Sequence, residues 1–264
     1  LSVGENIAYP LREHLKELSE AEISARVAKN LALVNLPGIA SNQVRLTGEL
    51  LVEIYQGKIT KWNDPKLVEL NKGVTLPNLA IAPVYRADGS GTTFVFASYL
   101  SAKSPEWKAK VGAATSVKWP AGTGAKGNDG ISATVANIKG AIGYVESAYA
   151  SQNKLTTVML RNKDGQFVAP GKEAYSAAAT AGDWTGARNF AVDLIDQAGA
   201  ASWPIVSATF ILMPKDLADK TRSGNVLKFF EWAYAKGDAT AEALEYIPLP
   251  ASVKDTVRKV WASD

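Results

Sequence analysis

The chain contains no cysteine and a single histidine, His14. Without cysteine it can form no disulfide, thiolate metal site or cysteine nucleophile. Without a second histidine, zinc sites of the usual kinds are excluded, and so is catalysis by a Ser-His or Cys-His pair. His14 lies in a charged segment that is typical of a solvated helix face, so we expect no catalytic role for it. The sequence therefore predicts neither a metal nor a cofactor.

Long apolar runs and an excess of charge of one sign are also missing. No run of about 18 apolar residues occurs, which predicts no membrane-spanning helix. The chain opens at Leu1 without the residue order of a signal peptide, which leaves a mature secreted form open. The net charge of +3 combines 29 basic with 26 acidic residues, so it does not indicate a nucleic acid or an acidic membrane as partner. It is compatible with a small anion as ligand.

The most informative stretch is Tyr85–Thr93, with the sequence YRADGSGTT. It follows the short apolar run Leu79–Val84, which predicts a strand, and it leads into Thr93–Leu100, where apolar side chains recur at helical spacing. The stretch is therefore predicted to be a turn between a strand and a helix.

The residue types in this turn suit a bound oxyanion. Backbone N–H groups at a helix start lack intrahelical partners and carry the positive end of the helix dipole, so Ser90, Gly91 and Thr92 are predicted to donate to the anion. Arg86 can reach the same anion with two N–H groups, and Asp88 is placed to orient and neutralise it. The alternative is an ordinary turn in which Ser90 only caps the helix and Arg86 pairs with Asp88 at the surface.

The run Val84–Phe96 resembles the second phosphate-binding segment of periplasmic phosphate-binding proteins. These proteins are the substrate-capture subunits of the bacterial high-affinity phosphate ABC transporter. The resemblance covers roughly residues 31–264. Further stretches fit the same family in the same order: Ile54–Asp64, Val117–Pro120, Gly124–Ile131, Gly140–Glu146, Trp203–Ile205 and Leu227–Tyr234.

The resemblance implies an α/β fold of the periplasmic-binding-protein type II class, with two lobes of mixed sheets flanked by helices. Residues 31–205 would form the second lobe with the phosphate-binding turn, and residues 1–30 and 206–264 the first. The hinge would lie near Leu31–Asn35 and Trp203–Ser207. The resemblance also implies a non-catalytic periplasmic or extracellular protein that binds inorganic phosphate and partners a membrane permease. We expect a monomer.

The first thirty residues depart from the family. Its members open with a glycine-rich segment that ends in an aromatic-Pro pair, followed by a Ser-Gly-rich helix start and an Asp-Phe-Gly-x-Ser-Asp segment. Only Tyr9-Pro10 and Leu18–Ile23 echo this pattern. We therefore expect an incomplete first lobe, from a deletion, a rearrangement or engineering. Phosphate binding could then be impaired, and selection against sulfate poor, because the family uses a first-lobe carboxylate to accept the proton of hydrogen phosphate.

Two other functions remain open at this point. One is an enzyme that acts on phosphate esters with the Arg86 turn as its phosphate clamp, although the sequence offers it no nucleophile with a base and no metal cluster. The other is a lobe remnant or engineered chain that binds no ligand. Calorimetric titration with phosphate beside an assay on a phosphate monoester would distinguish these possibilities.

Strands alternating with helices from Leu31 onward predict a sheet that is at least partly parallel. Before that point, two short helices are predicted within Tyr9–Asn30. The other predicted elements are a strand at Leu31–Leu36, helices at Gly48–Gln56, Asp64–Gly73, Ile131–Ile138, Val226–Ala235 and Val253–Trp261, a loop at Gly122–Gly130, a hairpin turning at Asp164-Gly165, and a buried strand at Ala208–Met213.

Overall fold

The computed structural model describes residues 44–187, 190–212 and 220–263. Strands and helices alternate along the first part of this range, and helices predominate after residue 172. The strands are β1 Arg45–Leu46, β2 Ala82–Arg86, β3 Thr123–Ala125, β4 Ala141–Ile142, β5 Met159–Arg161 and β6 Phe167–Val168. The helices are α1 Gly48–Tyr55, α2 Pro65–Leu70, α3 Gly91–Lys103, α4 Pro105–Lys110, α5 Gly127–Asn137, α6 Ser147–Gln152, α7 Lys172–Ala181, α8 Lys220–Lys236, α9 Asp238–Ala243 and α10 Ala251–Ser263.

The described strands form two small sheets. One has the order β1-β5-β6, with β1 and β5 parallel and β5 and β6 antiparallel. The other has the order β3-β2-β4 and is parallel throughout. In its register, Arg86 pairs with Ala125 and Ala82 pairs with Ala141. The predicted partly parallel α/β architecture is confirmed.

Local sequence signals set the ends of the first two helices. The Thr47 side chain caps α1 by accepting a hydrogen bond from the N–H of Leu50. After α1, Gly57 has a φ of 71°, a left-handed conformation that glycine adopts without strain. Asp64 caps α2, whose first residue is Pro65. The predicted helices at Gly48–Gln56 and Asp64–Gly73 are confirmed.

The all-parallel sheet rests on an aromatic core. The rings of Phe96 and Tyr144 stack with their centroids 4.3 Å apart, and the ring of Tyr55 meets Phe96 edge-on at 4.9 Å. The hydroxyl of Tyr55 donates to the carbonyl oxygen of Val84 over 3.2 Å, so its polar end is satisfied although the side chain is buried. This core fixes the position of β2 and thereby the start of the turn that follows it.

The interpretation of Gly122–Gly130 as a loop was wrong. Residues 123–125 form strand β3, and α5 begins at Gly127, four residues before the predicted start. The glycines allow close packing there, because a Cβ on Gly122 would lie 2.5 Å from the carbonyl oxygen of Pro83. The hairpin at Asp164-Gly165 and the helices at Val226–Ala235 and Val253–Trp261 are confirmed.

The predicted buried strand at Ala208–Met213 was also wrong. Residues 207–212 carry no regular secondary structure, and Leu212 is 91% exposed. Its apolar run finds no partner strand within the part of the chain that the structure describes. Met213 lies outside the described residues, as do the helices predicted within Tyr9–Asn30, the strand Leu31–Leu36 and the first hinge segment.

None of the helices in the described ranges combines the length and the apolar character needed to cross a membrane.

Candidate functional site

Three chain segments meet where the strands of the parallel sheet end. Strand β2 ends at Arg86 and β3 at Ala125, and these two residues are paired in register. The segment after β4 reaches Glu146, which is the N-cap of α6. Because parallel strands end at one edge of a sheet, the segments that follow them converge, and this edge is where ligands bind in many α/β folds.

Arg86 is held in place by Asp88, two residues further along the chain. The guanidinium donates from Nε to Oδ1 over 2.8 Å and from Nη2 to Oδ2 over 2.6 Å. Asp88 Oδ1 also accepts from the backbone N–H of Gly127 over 3.0 Å. These hydrogen bonds, first from Arg86 and then from Gly127, hold the pKa of Asp88 well below its usual range. The same pair raises the pKa of Arg86, so both groups stay charged.

A third contact reaches Arg86 from helix α5. Its Nη1 donates to Oδ1 of Asn128 over 3.3 Å. A guanidinium has five N–H groups, of which Asp88 and Asn128 take three. Within the described residues the other two, one on Nη1 and one on Nη2, have no partner. Two N–H groups on adjacent nitrogens can bind two oxygens of one tetrahedral anion.

Helix α3 begins beside this arginine. Ser90 is its N-cap: the Ser90 hydroxyl accepts from the N–H of Thr93 over 3.1 Å. The prediction that the Ser90 N–H donates to the anion conflicts with the structure, because this N–H already donates to the carbonyl oxygen of Thr115 over 2.8 Å. The N–H groups of Gly91 and Thr92 have no partner among the described residues and remain available.

Among the described residues, the space in front of Gly91 is open. A Cβ placed on Gly91 would have no heavy atom of these residues within 4 Å, and the same holds for Gly89 and Gly127. The hydroxyl of Thr92 lies 3.4 Å from Oε1 of Glu146, a distance at which a hydrogen bond is weak. On the side where a side chain would stand, the described part of the turn therefore leaves room for an ion to approach the backbone.

Tyr144 forms hydrogen bonds both to the end of β2 and to the first turn of α3. Its hydroxyl accepts the backbone N–H of Arg86 over 3.0 Å and lies 2.7 Å from the hydroxyl of Thr93. Burial raises the pKa of this phenol, so it stays protonated. The two hydrogen bonds fix Arg86 relative to the start of α3.

Sequence reasoning did not identify Asn128, Tyr144 and Glu146 as site residues. They lie 42 to 60 residues after Arg86, within two stretches that were noted only for their resemblance to the family. The available signal was their position just after two further strands. It was missed because the stretch containing β3 looked like a loop and because no strand was predicted at Ala141–Ile142. The sequence-based interpretation placed one acid, Asp88, near the turn, whereas the structure adds Glu146.

A second cavity near charged side chains lies elsewhere, at the far end of α3. It has a volume of about 330 Å³ and is lined by Lys103, Arg161, Lys163 and Glu49, among others. Lys103 is paired with Asp196 at 2.6 Å, and Arg161 lies 3.7 Å from Glu49. Because Lys103, Arg161 and Glu49 already have partners of opposite charge, we give more weight to the unpaired donors around Arg86.

The arrangement around Arg86 is suited to binding an anion. It offers one cation with two free N–H groups, two free backbone N–H groups and the positive end of a 13-residue helix. The described residues contain no group of three acids or histidines that could hold a metal ion.

Comparison with known proteins places the chain in a family. The profile of the PBP superfamily domain matches residues 23–236. The chain is 47% identical over 232 residues to the phosphate-binding protein PstS of Xylella fastidiosa, a match that covers 88% of this chain and 64% of the relative. It is 44% identical over 252 residues to the PstS protein of Haemophilus influenzae, with 96% and 75% covered. The chain thus spans about two thirds to three quarters of these relatives' own length.

Solved structures show the same fold at lower sequence identity. A human phosphate-binding apolipoprotein superposes with a TM-score of 0.61 at 21% identity, covering 83% of this chain and 67% of that one. A DING protein gives a TM-score of 0.58 at 22% identity with the same coverage. Together with the periplasmic-binding-protein fold, the sequence identity to the bacterial relatives shows that this chain belongs to the PBP superfamily and, within it, to the PstS family of phosphate-binding proteins.

Proposed function

We propose that this chain binds inorganic phosphate, without catalysis, as the solute-capture subunit of an ABC transporter. The observation that carries the proposal is the state of Arg86: three of its N–H groups are fixed by protein acceptors, and two have no partner among the described residues. The N–H groups of Gly91 and Thr92, at the start of the helix that follows, have none there either. Such a set of donors matches the oxygens of a phosphate ion. The names of the bacterial relatives support phosphate as the ion.

The proposed binding residues are Arg86, Gly91 and Thr92, together with the hydroxyl of Ser90, and Asp88 orients the arginine. The Ser90 hydroxyl accepts a hydrogen bond from Thr93, yet its own hydrogen can still be directed at the ion. Residues 31–205 would form the second lobe, and residues 1–30 with 206–264 the first. A membrane permease is the proposed protein partner, the periplasm the proposed location, and a monomer the proposed state.

Isothermal titration with orthophosphate tests the proposal. We expect saturable binding by the parent chain and a large loss of affinity in Arg86→Ala. A parallel assay with a chromogenic phosphate monoester should give no turnover. Binding together with turnover that depends on Arg86 would favour a phosphoester-cleaving enzyme instead, and the absence of any phosphate binding would favour a lobe that does not bind a ligand.

A further inference from the structure

A chain of polar contacts connects Arg86 to Glu146, 60 residues away in sequence. Arg86 Nη1 donates to Asn128 Oδ1 over 3.3 Å, and Asn128 Nδ2 donates to Glu146 Oε1 over 3.0 Å. Asn128 is the second residue of α5, and Glu146 caps α6. The contacts therefore tie the end of β2 to the starts of two helices that follow the neighbouring strands.

Asn128 can serve Arg86 in only one orientation of its side-chain amide. The amide has a carbonyl oxygen that accepts and an NH2 group that donates. If it were turned over, the NH2 group would face the guanidinium, donor against donor, and the oxygen would face the carboxylate of Glu146. Glu146 can accept but cannot donate when ionised, so it selects the orientation that directs the Asn128 oxygen at Arg86.

We propose that Glu146 and Asn128 are positioning residues for the Arg86 guanidinium. Glu146 sets the orientation of the Asn128 amide, and the Asn128 oxygen restrains Nη1, so that the two free N–H groups of Arg86 point at the bound ion. The consequence for phosphate affinity rests on the function proposed above. The restraint on Nη1 does not, because it operates in the empty site.

The negative charge of Glu146 by itself disfavours the binding of an anion. A carboxylate 3.4 Å from the Thr92 hydroxyl repels an incoming anion, and removal of the charge alone should strengthen binding. A glutamine at this position loses the charge, and its amide oxygen can still accept from Asn128 in the orientation that the donor-only guanidinium of Arg86 favours. An alanine loses both. Comparison of the two substitutions therefore separates positioning from electrostatic repulsion.

The first measurement needs no ligand. Rotation of the Arg86 Nη groups can be followed by nitrogen-15 NMR, with the resonance assigned by its loss in Arg86→Lys. We expect restricted rotation of Nη1 in the parent chain and in Glu146→Gln. We expect faster rotation in Glu146→Ala and in Asn128→Ala. Equal rotation in the parent and both alanine variants would overturn the proposal.

The second measurement is a double-mutant cycle on phosphate affinity. Asn128→Ala should weaken binding about fivefold, the scale of one hydrogen bond. Glu146→Ala loses the restraint and the repulsion together, so it should weaken binding less, and the double variant should lose no more than Asn128→Ala alone. Glu146→Gln should bind at least as tightly as the parent. Glu106→Ala, which removes an exposed carboxylate paired with Lys58 and Lys110, is the control and should leave affinity unchanged.

The outcomes separate the two proposals. If the parent chain binds no phosphate but the rotation data are as expected, the proposed function is wrong and the positioning role stands. If the parent binds phosphate and the effects of Asn128→Ala and Glu146→Ala simply add, the positioning role is wrong. A fall in melting temperature that tracks the loss of affinity across all variants would also contradict it, since it would show a merely structural role.

Discussion

Asp88 binds the Arg86 guanidinium through Nε and Nη2, with hydrogen bonds of 2.8 and 2.6 Å. This leaves both N–H groups of Nη1 and one of Nη2 for other partners, and Asn128 accepts from Nη1 over 3.3 Å. The side chain of Arg86 is only 11% exposed, so it is confined as well as paired. Little rotamer freedom then remains to be lost when an anion binds, and the site is organised in advance.

The first prediction concerns the cation. Arg86→Ala should weaken phosphate binding by at least about 2 kcal/mol, the scale for a charge-assisted partner lost from a partly desolvated site. Arg86→Lys should recover only part of the loss, because an ammonium lacks the planar pair of donors. Isothermal titration of the three proteins at one pH and ionic strength checks this. Parent-like affinity in Arg86→Ala would show that the site lies elsewhere.

The second prediction concerns the start of α3. Gly91→Val should reduce phosphate affinity more than stability, because the new side chain would fill the open space where the ion meets the backbone. Thr92→Val is the matched comparison: it removes one hydroxyl, keeps the N–H and should have a smaller effect. Titration and thermal melting are measured together. A collapse in melting temperature without a separate loss of affinity would mean that Gly91 serves the turn alone.

The sequence was sufficient to predict the strand, turn and helix around Arg86, because each signal is local. An apolar run precedes the turn, Ser90 can cap the helix, and apolar side chains recur at helical spacing after it. The partners of Arg86 that follow other strands could not be predicted from the sequence. Asn128 and Glu146 approach Arg86 only because β3 and β4 lie on either side of β2. The order of strands in a sheet cannot be predicted from any short stretch of sequence.

The two wrong secondary-structure predictions, the loop at Gly122–Gly130 and the buried strand at Ala208–Met213, have a common physical origin. A glycine-rich stretch is normally a loop, but Gly122 and Gly124 let β3 lie against Pro83 and Tyr85 more closely than side chains would allow. Conversely, the apolar run from Ala208 suggests a buried strand, although burial depends on a neighbour rather than on composition. In both places the local sequence pattern and the tertiary contacts favour different structures, and the tertiary contacts determine which structure forms.

The third prediction concerns acid. The folded-state pKa of Asp88 is depressed, so its contribution to stability is fully present above the ordinary pKa of aspartate, about 3.9, and is lost as pH falls toward the folded value. The urea midpoint of the parent should therefore exceed that of Asp88→Asn at neutral pH, and the difference should shrink below about pH 4. A constant difference across this range would show that the ionised carboxylate contributes nothing.

The fourth prediction concerns Tyr144. Tyr144→Phe keeps the ring that stacks on Phe96 but removes the hydroxyl that serves Arg86 and Thr93. The unpaired groups should lower the free energy of unfolding by about 1–3 kcal/mol. Urea denaturation measures the change. Tyr246→Phe, at an exposed tyrosine, should have almost no effect, and equal stability of the two variants would contradict the prediction.

The last prediction concerns the choice between phosphate and sulfate. Around the turn, the described residues present free donors, while the two nearby carboxylates, Asp88 and Glu146, already accept hydrogen bonds from protein groups. A site that contacts the ion through donors treats the two tetrahedral anions as similar charges. Refusal of sulfate needs a buried acceptor that only the proton of hydrogen phosphate can satisfy, because an unprotonated ion leaves that acceptor unpaired and repelled.

We therefore expect weak binding, in the micromolar-to-millimolar range that a few charge-assisted contacts support, with little selectivity between the two anions. Paired titrations with phosphate and sulfate at one pH and ionic strength measure the ratio. Arg86→Ala should weaken both to a similar extent, because the guanidinium contacts oxygens that the two ions share. Tight phosphate binding with sulfate refused would contradict the prediction, since it would require a free acceptor facing the ion from residues outside the described ranges.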